Sequence, residues 1–249
     1  MLEERCDRLR SLHVPGRPLV LPNAWDVASA RAVVAAEFPV VATSSGAVAD
    51  ALGYEDHQGA PATEMLAVAA RIARSVDVAV TVDAEAGYGM GPGELVEALA
   101  SAGAAGCNLE DTDHATGGLV DADRQAAWLA SVRAAAAERD YGLVINARVD
   151  VFLADRERPQ PELLDDGVAR ARAYVAAGAD CAFPIFLSDE DTIAAFVDAV
   201  GAPLNVLATP HAPPNSRLAE LGVARISYGS QPMRHSMEAL GRFLSGLSR

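Results

Sequence analysis

Short apolar segments recur along the chain, and each follows an Ala-rich segment whose apolar residues repeat with helical spacing. The pattern is clearest in "ALASAGAAGCNLED" (98–111) and "YVAAGADCAFPIF" (174–186). Glycines lie where three of the helices should end, at Gly103, Gly178 and Gly222, which is typical of helix C-termini. Because the apolar segments are short and nearly continuous, they are predicted to be strands of a parallel sheet covered by helices.

Eight strands alternating with eight helices follow from this pattern. The strands are expected at 18–22, 39–44, 78–83, 106–110, 142–149, 180–184, 203–207 and 224–228. The helices are expected at 26–36, 61–75, 93–102, 121–139, 162–177, 189–199, 215–221 and 233–247. A further short amphipathic helix is expected at the N-terminus, and residues 43–56 are expected to form a long loop of small residues.

Eight βα units in 249 residues predict one domain, residues 1–249, folded as a closed (β/α)8 barrel. The alternative is an open doubly wound sheet. That fold normally carries a glycine-rich turn after its first strand, and this sequence has none. The barrel is therefore the favoured fold.

Composition narrows the function. The formal net charge is −14 and no basic stripe is present, so neither nucleic acid nor an anionic membrane is an expected partner. All 20 basic residues are arginine, which excludes a lysine Schiff base and a P-loop lysine. The three cysteines are isolated, and neither a leader nor a membrane-spanning segment is recognised, so a cytoplasmic protein with reduced thiols is expected.

Polar residues follow the predicted strands at their carboxyl ends, where a barrel of this type places its active site. They are Asn23, Trp25 and Asp26 after the first strand, Asp83 and Glu85 after the third, Asn108, Glu110 and Asp111 at the fourth, and Asn146, Arg148 and Asp150 at the fifth. Side chains two positions apart on a strand share a face, so the acidic groups are expected to converge. Carboxylates in a water-poor mouth repel one another unless a cation lies among them. Oxygen ligands favour Mg²⁺, with Mn²⁺ possible; the alternative is that the acids cap helices or pair with arginines.

Two further residues have open roles. Arg148 shares a face with Asn146 and Asp150, so it is either a carboxylate-binding residue or a structural arginine of the barrel. His114 lies in "DHATGG", which is typical of a mobile lid with a glycine hinge. It is either an acid/base group or a solvent-exposed loop histidine.

The chain resembles the isocitrate lyase/phosphoenolpyruvate mutase superfamily over nearly its whole length. The resemblance is carried by "LPNAWDVASARAV", "TSSGAVADALGYED", "VTVDAEAGYG", "GCNLED", "INARVD" and "ISYGS". It implies a (β/α)8 barrel that binds Mg²⁺ and a small 2-oxo acid or its enolate. It also implies a homo-oligomer, a tetramer or dimer, in which the C-terminal helix at 233–247 is exchanged between subunits.

The resemblance also implies a role for each matching residue. Asp83 would bind the metal directly, and Glu85, Glu110 and Asp56 would hold metal-bound waters. The substrate would be bound by the backbone N–H groups of Ser45 and Gly46 and, at its other end, by Arg148, with Tyr88 and Trp25 lining the pocket. From the residues themselves, Asn146 beside Arg148 is also expected to bind substrate, and Arg148, His114 and Tyr88 are expected to be the catalytic residues.

One departure from the superfamily directs the choice of chemistry. The lyase branch carries a cysteine- and lysine-containing loop soon after the fourth strand, whereas this chain has "TDHATGGLVD" at 112–121. The lysine-containing gating loop of the phosphonomutase branch is also missing. Release of CO₂ from a metal-bound 2-oxo acid needs no protein acid or base to break the bond. The sequence therefore favours a Mg²⁺-dependent lyase that cleaves a C–C bond in an oxaloacetate-like acid. The alternatives are carbon–phosphorus chemistry of the phosphonopyruvate hydrolase or phosphoenolpyruvate mutase type, and a non-catalytic metabolite-binding barrel.

Overall fold

A computed structural model describes residues 2–247, and eight parallel strands form a barrel within this range. They are β1 Leu19–Leu21, β2 Val40–Thr43, β3 Ala79–Asp83, β4 Gly106–Glu110, β5 Val144–Val149, β6 Cys181–Pro184, β7 Asn205–Leu207 and β8 Arg225–Ser227. Each lies within two residues of its predicted position, so the predicted barrel is confirmed.

The strands close into a ring in two arcs. One arc has the order β1, β8, β7. The other begins at Asn23–Ala24, the continuation of β1 beyond Pro22, and runs through β2, β3, β4 and β5 to β6. A bridge between Ala182 and Leu204 joins β6 to β7 and completes the barrel.

The register of the strands decides which polar side chains meet at the barrel mouth. Asp83 at the end of β3 lies opposite Asn108 of β4. Glu110 at the end of β4 lies opposite Arg148 of β5. Since parallel strands place their carboxyl ends at one rim, these four side chains start from the same end of the barrel.

Helices cover the outside of the barrel. They span Leu2–Ser11, Val27–Ala35, Ser45–Leu52, Ala62–Ser75, Pro92–Ala102, Ala122–Ala137, Val151–Ala154, Leu164–Ala176 after a 3₁₀ turn at Gln160–Leu163, Glu190–Val200, Asn215–Glu220 and Gln231–Leu247. The three predicted terminating glycines, Gly103, Gly178 and Gly222, have φ values of 77°, 102° and 86°. These left-handed conformations are nearly free of strain for glycine, which has no Cβ.

Two segments differ from the sequence-based expectation. The prediction of a loop over 43–56 is wrong for its first part, because Ser45–Leu52 is a helix whose N-cap is Ser44. Small residues such as Ala and Ser suit a helix once a cap is present, and the cap outweighs the loop-like composition. In addition, Thr112–Asp113 and Gly118–Leu119 pair as an antiparallel hairpin after β4.

The C-terminal helix, Gln231–Leu247, contacts the barrel only near its start, where Met233 is buried. Along the rest of the helix the apolar side chains Leu240, Phe243 and Leu247 are 47%, 64% and 66% exposed. Exchange of this helix between subunits stays a prediction. No helix between residues 2 and 247 has the length and apolarity needed to cross a membrane.

Candidate active site

Asp83 is held from both neighbouring strands. Its Oδ2 accepts the backbone N–H of Ser45 at 3.0 Å, and its Oδ1 accepts the Nδ2 group of Asn108 at 3.3 Å. Its own backbone N–H donates to Thr43 Oγ1 at 2.9 Å. The carboxylate is therefore fixed at the mouth before any ligand binds, and the Ser45 N–H that was predicted to bind substrate donates to Asp83.

Glu85 reaches the same place by a turn rather than by strand alternation. The strand ends at Asp83, and Glu85 has a left-handed φ of 48°, so the argument that residues two apart share a face is wrong at this position. Glu85 Oε2 accepts the backbone N–H of Gln58 at 2.5 Å. His57, Gln58 and Tyr88 are also left-handed, and each such non-glycine residue costs about 1–3 kcal/mol. Such strained residues cluster at functional sites, so this concentration of strain makes the turn a candidate for one.

Like charges surround Glu85. Burial raises the pKa of Glu85 to about 7, and the negative charge of Asp83 adds to the increase, followed by Glu110 and Asp56. The Gln58 N–H opposes this increase without cancelling it. Asp83, Glu110 and Asp56 therefore all lie close enough to Glu85 for their negative charges to raise its pKa.

Arg148 joins two carboxylates beside this cluster. Its Nη1 lies 2.5 Å from Glu110 Oε2, while Nε and Nη2 donate to the two oxygens of Asp150 at 2.6 and 2.7 Å. Burial disfavours its charge, but Asp150 and Glu110 outweigh burial and raise the pKa of Arg148. A guanidinium has five N–H groups, so those left over after these contacts are available to a ligand.

His114 folds from the hairpin onto Glu110. Its Nε2 lies 2.7 Å from Glu110 Oε1, and its side chain is 14% exposed. This hydrogen bond raises the pKa of His114, although partial burial opposes the increase. The alternative of a solvent-exposed loop histidine does not fit this position.

A cavity of about 670 Å³ opens above the cluster. Its lining includes five of the predicted site residues, namely Ser45, Gly46, Asp56, Asp83 and Arg148. Gly46 is packed tightly there, since a Cβ on it would lie 2.6 Å from Asp56 Oδ2.

Several predicted residues lie behind the lining of this cavity. Asn146 is fully buried and donates to Asn108 Oδ1 at 2.8 Å. Tyr88 directs its hydroxyl group to the backbone oxygen of Asp83 at 3.4 Å, and Trp25 packs against the core. Glu85, Glu110 and His114 also lie outside the lining.

Sequence reasoning missed Arg225, which lies in the barrel interior beneath the cluster. It is 1% exposed, and its Nη2 donates to Asn108 Oδ1 at 3.1 Å. Its Nε and Nη1 have no hydrogen-bond partner among the described residues, and burial lowers its pKa. The available signal was an arginine inside the apolar strand segment "ARIS". Through Asn108, this buried cation is linked to Asp83.

The site fits a hard cation that keeps most of its waters. In residues 2–247, no group of three or more His, Cys, Asp or Glu side chains is arranged to bind a metal directly. Asp83 lies on the cavity, and the cluster around it offers only carboxylate oxygens. Mg²⁺ commonly binds proteins through one or two carboxylates and several waters, which is compatible with this arrangement. Arg148 and His114 pair with Glu110, and such an ion would offset the negative charges of Asp83 and Asp56 that also act on Glu85.

Comparison with known protein families supports the superfamily that the sequence resembles. The phosphoenolpyruvate phosphomutase family model matches residues 9–247. An uncharacterised protein of Mycobacterium tuberculosis is 35% identical over 89% of this chain and 81% of its own length. An oxaloacetate decarboxylase of Rhodopseudomonas palustris is 31% identical over 98% of this chain and 85% of its own length.

A solved structure with a similar fold supports the same superfamily. A protein of Burkholderia cenocepacia J2315, whose assignment as a phosphonomutase is provisional, has a TM-score of 0.92 and 43% identity. The match covers 97% of this chain and 99% of that one. The chain belongs to the phosphoenolpyruvate phosphomutase family, within the isocitrate lyase/phosphoenolpyruvate mutase superfamily of lyases and mutases.

Proposed function

We propose that the protein is a Mg²⁺-dependent lyase that cleaves the C–C bond next to an enolate in a small 2-oxo acid of the oxaloacetate type. The proposal rests on Asp83 and Asp56, which line the cavity together with Arg148, and on Glu85 and Glu110 behind that lining, since the charges of Asp83, Glu110 and Asp56 all raise the pKa of Glu85. The relative in Rhodopseudomonas palustris, an oxaloacetate decarboxylase that this chain matches over 98% of its length, supports this choice of substrate.

Each residue of the site has a proposed role in binding either the ion or the substrate. Asp83 would bind the ion directly, and Glu85, Glu110 and Asp56 would hold its waters. A bound divalent ion polarises the oxo oxygen of the substrate and stabilises negative charge on it. The free N–H groups of Arg148 would bind the substrate carboxylate. The helix Ser45–Leu52 begins at the cavity, and a helix N-terminus favours an anion.

The choice of reaction follows from the lack of a lysine and of a reactive cysteine that could act as nucleophile or as acid/base. No lysine exists in the chain, and all three cysteines are buried free thiols. Burial raises the pKa of Cys107 to about 12, so it is a poor proton donor or nucleophile at neutral pH. Loss of CO₂ breaks the bond without a proton transfer from the protein, which makes decarboxylation the least demanding reaction for these residues.

Carbon–phosphorus chemistry is the second candidate, and the 43% identity to the Burkholderia protein favours it. A phosphonate in place of the carboxylate on C3 would meet the same ion and Arg148. The third candidate, a barrel that binds a metabolite without turnover, keeps the same binding site.

One panel separates the three candidates. Oxaloacetate and phosphonopyruvate are supplied with Mg²⁺, with Mn²⁺ and with a chelator, while pyruvate and phosphate are measured. We expect pyruvate from oxaloacetate only when metal is present. Phosphate or a phosphorus NMR shift from phosphonopyruvate alone would favour the second candidate. A thermal shift with oxalate and Mg²⁺, but no turnover, would favour the third.

We also infer that the protein forms a homo-oligomer and that it is cytoplasmic. The first of these inferences has a structural basis. Leu240, Phe243 and Leu247 expose a large apolar surface on the C-terminal helix, and such a surface on a soluble protein marks an interface. Light scattering of the whole chain and of Phe243→Ser tests this. A wild-type tetramer or dimer that dissociates in the variant supports the inference, whereas a monomeric wild type contradicts it.

A further inference from the structure

The cavity is larger than a four-carbon acid requires. Pockets of about 300–1,000 Å³ hold ligands of drug size, and this one has a volume of about 670 Å³. At about 30 Å³ for each water-sized group, the nine non-hydrogen atoms of oxaloacetate would take up about 270 Å³ and leave more than half of that volume, of which a hydrated ion would occupy a part. The additional space needs its own explanation.

The two sides of the cavity come from opposite parts of the barrel. Asp83 and Asn108 lie on β3 and β4, whereas Phe183 and Leu207 lie on β6 and β7. In a closed ring of eight strands, β3 faces β7. The part of the cavity formed by the loops after β5, β6 and β7 therefore lies across from the acidic cluster.

This distal side is apolar at its base. Phe152, Phe183, Phe186 and Leu207 line it together with Ile185. Such a surface suits a hydrocarbon segment of a ligand, whereas its apolar side chains offer a small, fully charged acid no hydrogen bonds; Gln160, Ser188 and Thr209 line the same side.

Arginines stand above this apolar base. Arg156 from the loop after β5 and Arg234 from the start of the C-terminal helix both line the cavity. Neither forms an ion pair with any residue in the described part of the chain, although the protein carries a net charge of −14. Exposed cations in so acidic a protein are available to an anionic ligand.

The position of Arg156 is fixed by the loops around it. Its guanidinium lies 4.4 Å from the centre of the Phe186 ring, which is a cation–π arrangement. Phe186 has a left-handed φ of 64°, a strained conformation for an aromatic residue. Gln160 ties the two loops together, since its Nε2 donates to Phe186 O at 2.8 Å and its Oε1 accepts the backbone N–H of Ser188 at 2.9 Å.

We infer that the substrate is larger than oxaloacetate: a 2-oxo acid that keeps the C3 carboxylate lost as CO₂ and also carries on C3 an apolar chain that ends in a further anionic group, bound by Arg156 and Arg234. This inference rests on the proposed function, because the oxo-acid end is assigned to the acidic cluster. According to this inference, the distal side determines which substrates the protein binds.

Stable oxo-acid mimics test the inference. Oxalate is compared with N-oxalyl amino acids of increasing chain length that end in a carboxylate, with the same compounds ending in a phosphonate, and with N-alkyl oxamates that end in a methyl group. Binding to the full chain with Mg²⁺ is measured by calorimetry. We expect one chain length with a charged end to bind at least about tenfold more tightly than its uncharged counterpart, the usual effect of a charge-assisted hydrogen bond.

The variants Arg156→Gln and Arg234→Gln should remove that tenfold gain and leave oxalate binding within twofold. Arg242→Gln, on the same helix but outside the cavity lining, is the control and should change neither. The carboxylate and phosphonate series identify which anion is preferred.

The outcomes separate the two proposals. If oxalate binds with Mg²⁺ but no charged chain gains affinity, the larger substrate is ruled out and the lyase proposal stands. A gain that survives in both arginine variants overturns the inference as well. If oxalate itself does not bind, the proposed function fails and the inference fails with it.

Discussion

The two sides of the barrel mouth are built in different ways. On the acidic side, Asp83 and Glu110 sit at strand ends whose register fixes them opposite Asn108 and Arg148. On the distal side, Arg156 is fixed by contacts between loops, through Phe186 and Gln160.

Because of this difference, the acidic side suits the chemical reaction and the distal side suits the selection of substrates. Strand ends are rigid and change little when loops change, so they suit the groups that bind a metal and an oxo acid. Loops vary in length and sequence without disturbing the barrel, so they suit the groups that select the rest of the substrate. Four predictions test how far the acidic side depends on its own residues.

The largest effect is expected from Asp83→Asn. Asp83 lines the cavity, is held by Ser45 and Asn108, and is the proposed direct ligand of the ion, so its loss should reduce metal-dependent turnover at least about a hundredfold. Asp77→Asn is the matched control, because Asp77 is exposed and precedes the other end of the same strand. Steady-state rates over a Mg²⁺ titration measure the effect, and equal rates for both variants would remove Asp83 from the site.

A pH effect on stability is expected from Glu85. Its pKa is raised from 4.5 to about 7 in the folded protein, so the folded state binds this proton more tightly than the unfolded state. The resulting stabilisation is complete below about pH 4.5 and is lost as the pH rises through about 7. In the absence of metal, the wild type should lose up to about 3 kcal/mol over this range relative to Glu85→Gln.

Urea unfolding in a chelator at several pH values measures this effect. Glu97→Gln, which alters an exposed carboxylate on a helix, gives the background dependence. A difference between wild type and Glu85→Gln that does not change with pH would show that the acidic cluster does not repel as described.

A smaller effect is expected from Arg225→Met, which removes the cation beneath the acidic side. Arg225 acts through Asn108 on Asp83, and groups that orient metal ligands typically contribute about 10–100-fold to activity or metal affinity. Stability should change little, because an apolar side chain of similar size often replaces a buried charge without loss. Calorimetric Mg²⁺ affinity, urea unfolding and partial recovery in Arg225→Lys distinguish this positioning role from a purely structural one.

The smallest effect is expected from His114→Gln. His114 bonds to Glu110 and does not line the cavity, so we expect turnover to fall less than about tenfold. An acid/base group normally contributes about 10²–10⁴-fold. A loss of a hundredfold or more, with unchanged Mg²⁺ affinity, would therefore restore the acid/base role that the sequence suggested.

Much of this site could be predicted from the sequence because the strands of a barrel have a recognisable pattern of apolar residues. Apolar runs and terminating glycines located all eight strands within two residues, and the polar residues after these runs include Asp83 and Arg148, which line the cavity, and Glu110, which pairs with Arg148. Arg225 was missed because a single arginine in a short strand does not reveal whether it points inward. Arg156 and Arg234 were missed because they belong to loop and helix segments whose proximity depends on how the barrel closes.

The sequence by itself determined the barrel, the rim that carries polar groups and the acidic character of that rim, since each depends on local periodicity and residue type. The tertiary structure alone decided that Glu85 reaches the cluster through a left-handed turn, that Arg148 is already paired and that the distal side carries unpaired arginines. These features depend on distances between segments far apart in the chain. Local patterns do not encode such distances, because only closure of the barrel brings those segments together.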